Sequence, residues 1–335
     1  MREGPLEATH GGDAVESKLA LVTGANSGVG REATRDLARS GWTVLMLCRS
    51  LERGEAALAE IQAELGAETE AETVDGARGD SGVDRSDRSD ESALKVGARR
   101  TPGDLHLLPL DLEDLNEVRR AAGEIGDWLD DRGLHVDALV NNAGVYRAAL
   151  ERSPQGFERT MAVNHLGHFA LTVELESRLR RQGVRVVNVS SEGHRRAKVS
   201  GRPLRDILSG ERFQGGVQAY CDSKLANVLF SEELQRRWGG DGVTSVAVHP
   251  GTLATAIWDR NTTFLMWVAK RLKRWMGDPS EGGRAVSRLV EQVPADEMAG
   301  RYYNREARVV PAPPAGDPTL AAELWRVSEE AMRTA

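Results

Sequence analysis

The sequence predicts an α/β protein, a single domain with a doubly wound parallel sheet and helices on both faces of it. Short apolar runs rich in Val and Leu alternate along the chain with segments whose apolar residues recur at helical spacing. A glycine-rich turn joins the first run to the first helical segment, and small or amide residues follow several later runs. Such runs are typical of parallel strands buried on both faces, and the helical segments supply right-handed crossovers between them.

The first strand, turn and helix predict a dinucleotide site. Residues 18–23 (KLALVT) form the strand, the turn follows at 24–30 (GANSGVG), and helical spacing resumes at Ala33. Glycines permit a tight turn and let a pyrophosphate approach the backbone and the helix N-terminus. The alternative is a tight strand–helix connection that binds nothing. The turn that would face the cofactor under the first interpretation contains Gly24, Ser27, Gly28, Val29 and Gly30.

The end of the second strand favours NADP(H) over NAD(H). Residues 42–48 (WTVLMLC) form this strand, and Arg49 follows where an acidic residue would bind the ribose 2′-hydroxyl. An arginine can bind a 2′-phosphate at this point, whereas a carboxylate would repel it. The alternative is that Arg49 is a solvated charge at the end of a strand.

A polar segment interrupts the pattern after the second helix, which is predicted over residues 50–65. Residues 66–104 are rich in Glu, Asp, Ser, Gly and Arg and contain almost no large apolar side chains. Such a composition buries too little surface to offset the entropy of ordering the chain. We expect a disordered, solvated insertion in a loop, and a role in partner binding is the alternative.

The later strands also end in residues suited to a ligand. Strand 105–110 ends at Asp111 and is followed by a helix over 113–129. Further strands are expected at 136–140, 184–189 and 243–248, with a long helix over 157–179. The residues that follow these strands are Asn141, Ala143, Ser191, Pro250, Gly251 and Thr252. The carboxyl ends of parallel strands share one edge of the sheet, where ligands bind in this fold class.

One helix carries a candidate proton donor and acceptor. Tyr220 and Lys224 are four residues apart, so their side chains lie on one face of the helix. The lysine charge favours the phenolate, and we expect it to lower the pKa of Tyr220. Such a pair can exchange a proton with a carbonyl or an alcohol. Taken alone, the spacing also arises by chance in many helices.

Together, these motifs resemble the short-chain dehydrogenase/reductase family, in its retinol dehydrogenase-like branch. The matching motifs are residues 23–30 (TGANSGVG), Asp111, residues 141–144 (NNAG), Asn164, Ser191, Tyr220-x-x-x-Lys224 and Pro250-Gly251. Residues 163–169, 220–227 and 320–328 are similar to the retinol dehydrogenase-like branch. This chain departs from the family pattern in two ways. Membrane-bound members carry an N-terminal apolar anchor, and we expect none here because residues 1–17 are polar; residues 66–104 also have no counterpart in compact members.

The resemblance implies a Rossmann-type domain over residues 18–310 and four catalytic residues. Tyr220 would be the general acid when a carbonyl is reduced and the base in the reverse direction. Lys224 would bind the nicotinamide ribose and depress the Tyr220 pKa. Ser191 would donate a hydrogen bond to the substrate oxygen, and Asn164 would position a water that links Lys224 to solvent.

The resemblance also implies the cofactor contacts. Asp111 would contact the adenine, and Asn141 and Ala143 would line the cofactor bed. The turn formed by Pro250, Gly251 and Thr252 would contact the carboxamide. Each residue has a structural alternative: Ser191 ends a strand, Asn164 satisfies helix backbone, and Asp111 caps the next helix.

A segment with mixed character is expected to cover the substrate. Residues 252–278 combine aromatic residues and methionines with a dense basic patch. The segment is predicted to be a lid helix, and reversible contact with an anionic membrane surface is the alternative. Both interpretations favour a lipophilic aldehyde, ketone or alcohol as substrate. The C-terminal segment, residues 311–335, is expected to contain a helix.

Composition limits the class of protein. The chain of 335 residues has 40% hydrophobic residues, 28% charged residues and a formal net charge of −7, which argues against a nucleic-acid partner. Its two cysteines make no disulfide framework, and residues 1–17 are polar and predicted to be a flexible tail. No apolar run approaches the length that spans a bilayer, so we expect a cytoplasmic protein. His165, His168 and His194 lack further ligands at metal-binding spacing, so no metal is expected.

The leading hypothesis is an NADP(H)-dependent oxidoreductase that moves a hydride between nicotinamide and a lipophilic carbonyl compound or alcohol. The rival is a catalytically idle dinucleotide-sensing or scaffold protein, which the intact set of Ser191, Tyr220 and Lys224 disfavours. By analogy with the family, a homo-oligomer through the helix that begins near Tyr220 is expected.

Overall fold

The computed structural model describes residues 18–78, 101–251 and 278–334, and for residues 71–78 it describes the backbone only. The described strands form one sheet in the order β3-β2-β1-β4-β5-β6-β7-β8, in which only β7 and β8 pair antiparallel. The strands are β1 (Leu19–Thr23), β2 (Thr43–Cys48), β3 (Leu105–Pro109), β4 (Ala138–Asn141), β5 (Arg185–Val189), β6 (Thr244–His249), β7 (Arg301–Asn304) and β8 (Ala307–Val309). The predicted fold class is confirmed. The strand order reverses between β1 and β4, where open α/β sheets bind their ligands.

Helices cover both faces of the sheet. The described α-helices are α1 (Gly28–Arg39), α2 (Leu51–Arg78), α3 (Leu115–Arg132), α4 (Arg159–Met161), α5 (Gly167–Glu174), α6 (Glu176–Leu179), α7 (Leu204–Ser209), α8 (Gly216–Trp238), α9 (Pro279–Glu291), α10 (Ala295–Met298) and α11 (Pro318–Thr334). One buried apolar cluster joins the sheet to α1, α2 and α9, and another joins it to α3, α5, α8 and α11. Every residue of β1, β2 and β6 is buried, which explains why these strands are apolar on both faces.

The predicted long helix over residues 157–179 is wrong as a single element. The chain forms α4, a π-helical turn (Ala162–Leu166), α5 and α6 in succession. Glu158 caps the first of these, since its carboxylate accepts hydrogen bonds from the backbone N–H groups of Thr160 and Met161. A π-turn inserts an extra residue into a helix and often occurs at functional sites. Here it contains Asn164.

The predicted disordered insertion is wrong in its first part, because α2 continues to Arg78. Arg39 of α1 donates from Nε and Nη2 to the two carboxylate oxygens of Glu68, at 2.7 and 2.5 Å. Glutamate and alanine are good helix formers, so a charged segment that is poor in large apolar residues can still extend a helix that is already anchored. Residues 79–100 lie outside the described residues.

The C-terminal helix belongs to the main core. The predicted helical residues 320–328 lie inside α11, which packs on α8. The rings of Trp325 and Phe169 are 5.0 Å apart, and those of Trp325 and Phe230 are 6.0 Å apart.

Within the described ranges, no helix combines the length and the apolar character needed to cross a bilayer. The predicted tail at 1–17 and residues 252–277 of the predicted lid lie outside the described residues.

Candidate active site

A cleft of about 1150 Å³ lies along the carboxyl ends of the parallel strands. Its walls come from the segments that follow β1, β2, β3, β4, β5 and β6, together with the first turns of α8. Predicted site residues that line it are Gly24, Ser27, Gly28, Val29, Arg49, Asp111, Ala143, Ser191, Tyr220, Lys224, Pro250 and Gly251. The topology therefore gathers residues that are far apart in sequence around one space.

The turn after β1 has the geometry of a phosphate cradle. Gly24 and Gly28 have φ of +64° and +56°, which glycine adopts without strain. Ser27 is the N-cap residue of α1, so the first N–H groups of that helix face the cleft. Gly30 does not line the cleft. A Cβ at Gly30 would lie 2.4 Å from the Gly24 carbonyl oxygen, so this glycine lets the turn pack closely.

Two arginines lie at the end of the cleft beside β2. Arg49 follows the strand and Arg53 lies one helical turn later in α2, and both line the cleft. Both side chains are exposed, and no hydrogen bond or ion pair ties either guanidinium group to another described residue. Arg53 was not predicted as a site residue, and it reaches the cleft because the first turn of α2 starts directly after the end of β2. This end of the cleft suits a phosphate.

Asp111 lies in the cleft but does not cap a helix. Its carboxylate accepts a hydrogen bond from the Glu113 backbone N–H at 3.0 Å. The N-cap of α3 is Asp114, which accepts from the Asn116 N–H, so the helix starts two residues later than predicted. The capping alternative for Asp111 is therefore excluded.

The predicted cofactor-bed residue Asn141 points into the core. Its amide Nδ2 lies 2.9 Å from Asn188 Oδ1 on β5 and 3.3 Å from the Thr172 hydroxyl on α5. Asn141 is the last residue of β4 and is buried within the sheet, whereas the cleft begins past the end of the strand. Asn142 lines the cleft in its place, and its Nδ2 donates to the Thr23 carbonyl at 2.8 Å.

Three members of the predicted tetrad converge. The Ser191 and Tyr220 side chains are hydrogen-bonded to each other. The Lys224 Nζ lies 5.7 Å from the centre of the Tyr220 ring and donates to the Val189 carbonyl at 3.0 Å. Since β5 supplies Val189 and is followed by Ser191, the strand end and the helix fix all three groups together.

Asn164 lies behind these groups, with no exposed surface. Its Oδ1 accepts from the Val145 N–H at 2.7 Å, and its Nδ2 donates to the Val145 carbonyl at 3.1 Å and to the Ser223 hydroxyl at 3.0 Å. The side chain thus fastens the loop after β4 to α8. Positioning of a water by Asn164 stays a prediction.

The predicted lowering of the Tyr220 pKa is wrong for the chain described here. Burial raises the pKa of Tyr220, and the hydrogen bond from Ser191 opposes this rise. Burial also lowers the pKa of Lys224 to about 8. The sequence spacing places the two residues on one face of the helix, but the loss of hydration at that face decides the direction of both pKa shifts.

A buried histidine connects the tetrad to the glycine turn. Burial lowers the pKa of His168 to about 4, so its ring is neutral. Nδ1 donates to the Asn164 carbonyl at 3.1 Å, which leaves Nε2 to accept from the Thr23 hydroxyl at 2.9 Å. Thr23 in turn accepts from the Asn142 and Ala143 N–H groups at 2.9 and 3.0 Å. From the sequence alone, His168 is considered only as a metal ligand.

The turn after β6 closes the cleft. Pro250 and Gly251 line it, and Gly251 has φ of +111°. The predicted contact residue Thr252 lies outside the described residues. His249, which was not among the predicted site residues, also lines the cleft, and burial lowers its pKa to about 4.

In the parts of the chain that the structure describes, no three His, Cys, Asp or Glu side chains are grouped as a metal site.

The half of the cleft near Tyr220 has mixed character. Val145, Val217 and Cys221 supply apolar surface, and Val217 is 57% exposed. Arg147 and Arg196 also line this half. Open apolar surface beside the catalytic pair suits a substrate with an apolar portion.

Comparison with known proteins agrees with this geometry. The family model described as short chain dehydrogenase matches residues 18–84 and 81–201. The chain is 34% identical to human retinol dehydrogenase 12 over 314 residues, which cover 93% of this chain and 85% of the relative. It is 31% identical to the WW domain-containing oxidoreductase of Gallus gallus over 98% of this chain and 71% of that relative.

Solved structures share the fold. An uncharacterized protein from Mycobacterium paratuberculosis superposes with a TM-score of 0.66 at 30% identity, over 95% of this chain and 94% of that one. A short chain dehydrogenase from Burkholderia cenocepacia, solved in complex with NADP, gives a TM-score of 0.59 at 22% identity. The latter match covers 87% of this chain and 97% of that one.

Proposed function

Because the chain belongs to the short-chain dehydrogenase family, in its retinol dehydrogenase-like branch, we propose that it interconverts a lipophilic carbonyl compound and its alcohol with NADP(H). Membership of the family makes the protein an NAD(P)-dependent oxidoreductase. The observation that carries the proposal is the convergence of Ser191, Tyr220 and Lys224 in one cleft above the glycine turn.

The geometry assigns a task to each of these groups. NADP(H) supplies the hydride when it is bound, with its phosphates on the turn after β1. Tyr220 keeps its proton in the free protein because burial raises its pKa, so it can act as the acid that protonates a reduced carbonyl. The Ser191 hydroxyl, which contacts that of Tyr220, can donate to the same substrate oxygen and stabilise its developing charge. Lys224 supplies a nearby positive charge that favours the phenolate left behind.

The choice of NADP(H) over NAD(H) is supported by the arginines beside β2. Arg49 and Arg53 lie at the end of the cleft where the adenosine ribose binds in this fold class, and β2 ends without a carboxylate. Two guanidinium groups that have no described ion-pair partner can bind a 2′-phosphate through charge-assisted hydrogen bonds.

The lipophilic substrate is supported by the apolar surface beside Tyr220 and by the relatives, which are named retinol dehydrogenases. The segment 252–277 is proposed to cover this surface, and reversible binding to anionic membranes is the alternative role for it. Cosedimentation of the protein with anionic and with neutral vesicles would separate these roles.

We also propose a cytoplasmic location, which the two buried free cysteines support and fractionation of cells would test.

A homo-oligomer through α8 stays a prediction by analogy with the family. α11 of the same chain packs on one face of α8, through Trp325 and Phe230. Because that face is already covered, we propose a monomer as the alternative.

The experiment that tests the function is a panel of lipophilic aldehydes and ketones with NADPH and with NADH. We expect turnover of at least one carbonyl compound, with NADPH preferred. We expect Tyr220→Phe to lower kcat by about 10²- to 10⁴-fold, since it removes the proton donor. The Kd for NADPH, followed by its fluorescence, should stay within about twofold because the phenol is not placed to bind the phosphates. Tight NADPH binding without turnover, and no effect of Tyr220→Phe, would favour the idle dinucleotide sensor.

A further inference from the structure

A buried histidine outside the tetrad joins the catalytic turn to the C-terminal part of the chain. His194 lies in the 3-10 turn Glu192–Arg196, directly after Ser191, and is 1% exposed. Its Nδ1 lies 2.7 Å from the Ser191 carbonyl oxygen, and its Nε2 lies 3.0 Å from the Ala312 backbone nitrogen. Its ring packs 4.7 Å from the ring of Tyr302 on β7. Every polar atom of the ring is therefore used.

The two contacts determine which nitrogen carries the proton. A backbone carbonyl only accepts a hydrogen bond, and a backbone N–H only donates one. His194 must therefore carry its proton on Nδ1 and leave Nε2 as the acceptor. The Ala312 N–H selects the one neutral tautomer that can donate to the Ser191 carbonyl.

The catalytic turn is held from both sides. On one side, the Gly193 N–H donates to the Ser191 hydroxyl oxygen at 3.1 Å, and a Cβ at Gly193 would lie 3.5 Å from the Tyr220 ring. On the other side, Arg195 donates to the Val310 carbonyl at 2.8 Å, next to the contact with Ala312. The segment after β8 thus forms the outer support of the turn that positions the Ser191 hydroxyl.

We infer that His194 is a positioning residue: anchored by the Ala312 N–H, it fixes the Ser191 carbonyl and so directs the Ser191 hydroxyl at the substrate oxygen. The inference rests on the proposed function, in which Ser191 contacts that oxygen. The Tyr220–Lys224 pair and the cofactor turn are supported by other elements. Loss of the support should therefore affect the chemical step more than the binding of substrate or cofactor.

Two near-isosteric variants separate positioning from general stability. In His194→Asn the amide nitrogen replaces Nδ1 and keeps the donor to Ser191, whereas in His194→Gln the amide oxygen replaces Nε2 and keeps only the acceptor for Ala312. We expect His194→Asn to retain kcat within about threefold. We expect His194→Gln to lose about 10- to 100-fold in kcat, the range for a misplaced catalytic group, with KM changed less than about threefold. Equal losses in both variants that follow their melting temperatures would overturn the inference.

A readout independent of turnover keeps this test separate from that of the function. Nitrogen-15 NMR of the histidine rings distinguishes the Nδ1–H from the Nε2–H tautomer, and the spectrum of His194→Asn identifies the His194 signals. We expect the Nδ1–H tautomer with a slowly exchanging proton, because the ring is buried and hydrogen-bonded on both sides. An Nε2–H tautomer would overturn the inference even if the enzyme is active. If the Nδ1–H tautomer is found in a protein that turns over no carbonyl compound, the proposed function fails and the inference, which depends on it, fails too.

Discussion

At the scale of single residues, burial moves the two central titratable groups in complementary directions. Tyr220 holds its proton more firmly than a free tyrosine, and Lys224, which is 3% exposed, holds its proton less firmly than a free lysine. The first effect keeps a proton available for a carbonyl oxygen. The second effect shows that keeping the Lys224 charge buried costs free energy. The hydrogen bond to the Val189 carbonyl offsets only part of that cost.

That cost predicts how stability depends on pH. The pKa of Lys224 is about 8 in the folded chain, below the ordinary lysine value of 10.5, so between these pH values the unfolded chain binds more protons than the folded one. The Lys224 contribution to the free energy of unfolding therefore rises with pH through this window and is smallest below pH 8. We expect Lys224→Met to be more stable than the wild type at pH 7, by on the order of 1–3 kcal/mol.

Chemical denaturation at pH 7 and pH 10 would check this. The Val189 carbonyl keeps a second donor, Asn227 Nδ2 at 3.0 Å, so the variant leaves no unpaired carbonyl. The advantage of Lys224→Met should shrink at pH 10, while its activity is lost at both pH values. An advantage that does not change with pH would contradict the assignment of the cost to the lysine charge.

The arginines beside β2 give a prediction about cofactor choice. Removing one charge-assisted hydrogen bond costs about 1.5–3 kcal/mol, so Arg49→Ala should raise KM for NADPH by about 10- to 100-fold. Arg53→Ala should act in the same direction, and neither change should alter KM for NADH by more than about twofold, because NADH lacks the 2′-phosphate.

Initial rates with both cofactors provide the measurement. Arg308→Ala is the matched control, since this exposed arginine lies on β8 and does not line the cleft. An equal rise in KM for NADH and for NADPH would show that the two arginines do not bind the 2′-phosphate.

At the scale of elements, the π-turn determines how the catalytic residues meet. It brings Asn164 to the loop after β4 and to Ser223 on α8, and it places His168 against Thr23. Gly167, directly after the turn, packs on the Leu112 backbone. A single wide turn thus connects the cofactor turn, the cofactor bed and the catalytic helix.

This close contact predicts a large effect of one methyl group. A Cβ at Gly167 would lie 2.3 Å from the Leu112 carbonyl oxygen, so Gly167→Ala should lower the free energy of unfolding by about 1–3 kcal/mol and also lower kcat. Gly123→Ala is the control, because no atom lies within 4 Å of its Cβ position in α3. The control should be neutral or stabilise the protein by up to about 1 kcal/mol. Thermal and urea unfolding would compare the two, and similar stabilities would contradict the packing argument.

At the scale of the whole molecule, α11 completes the core from the C-terminal end of the chain. Trp325 contacts Phe169, Phe230 and Trp238, and the Arg237 guanidinium lies 4.4 Å from its ring. His165 of the π-turn lies 2.9 Å from the Ser328 hydroxyl, which itself donates to the Leu324 carbonyl. One face of α8 is therefore covered within the same chain.

We expect the full chain to be a monomer near its mass of 36.5 kDa by light scattering after size exclusion. Trp325→Ala should cost about 3–5 kcal/mol of unfolding free energy and expose the α8 face, so this variant should associate as its concentration rises. A stable dimer of the wild type would contradict the prediction.

The sequence was sufficient where a local pattern carries its own physical meaning. Glycines in a strand–helix turn, apolar runs bounded by turns, and a Tyr–Lys pair at helical spacing predicted the parallel sheet and placed Gly24, Tyr220 and Lys224 correctly in one cleft. The family motifs added Ser191 in the same way. These features depend on neighbours in sequence, or on the common edge that all parallel strands share.

What the sequence could not determine depends on contacts between distant segments and on loss of water. Whether Asn141 or its neighbour faces the cleft depends on where β4 ends, and the segment of the predicted long helix packs through Gly167 on Leu112, which is distant in sequence. The direction of the Tyr220 pKa depends on burial by several elements at once. The role of His194 needs Ala312, more than a hundred residues away, to select its tautomer. Only the folded chain brings such groups together, and only there do dehydration and hydrogen-bond geometry act on them.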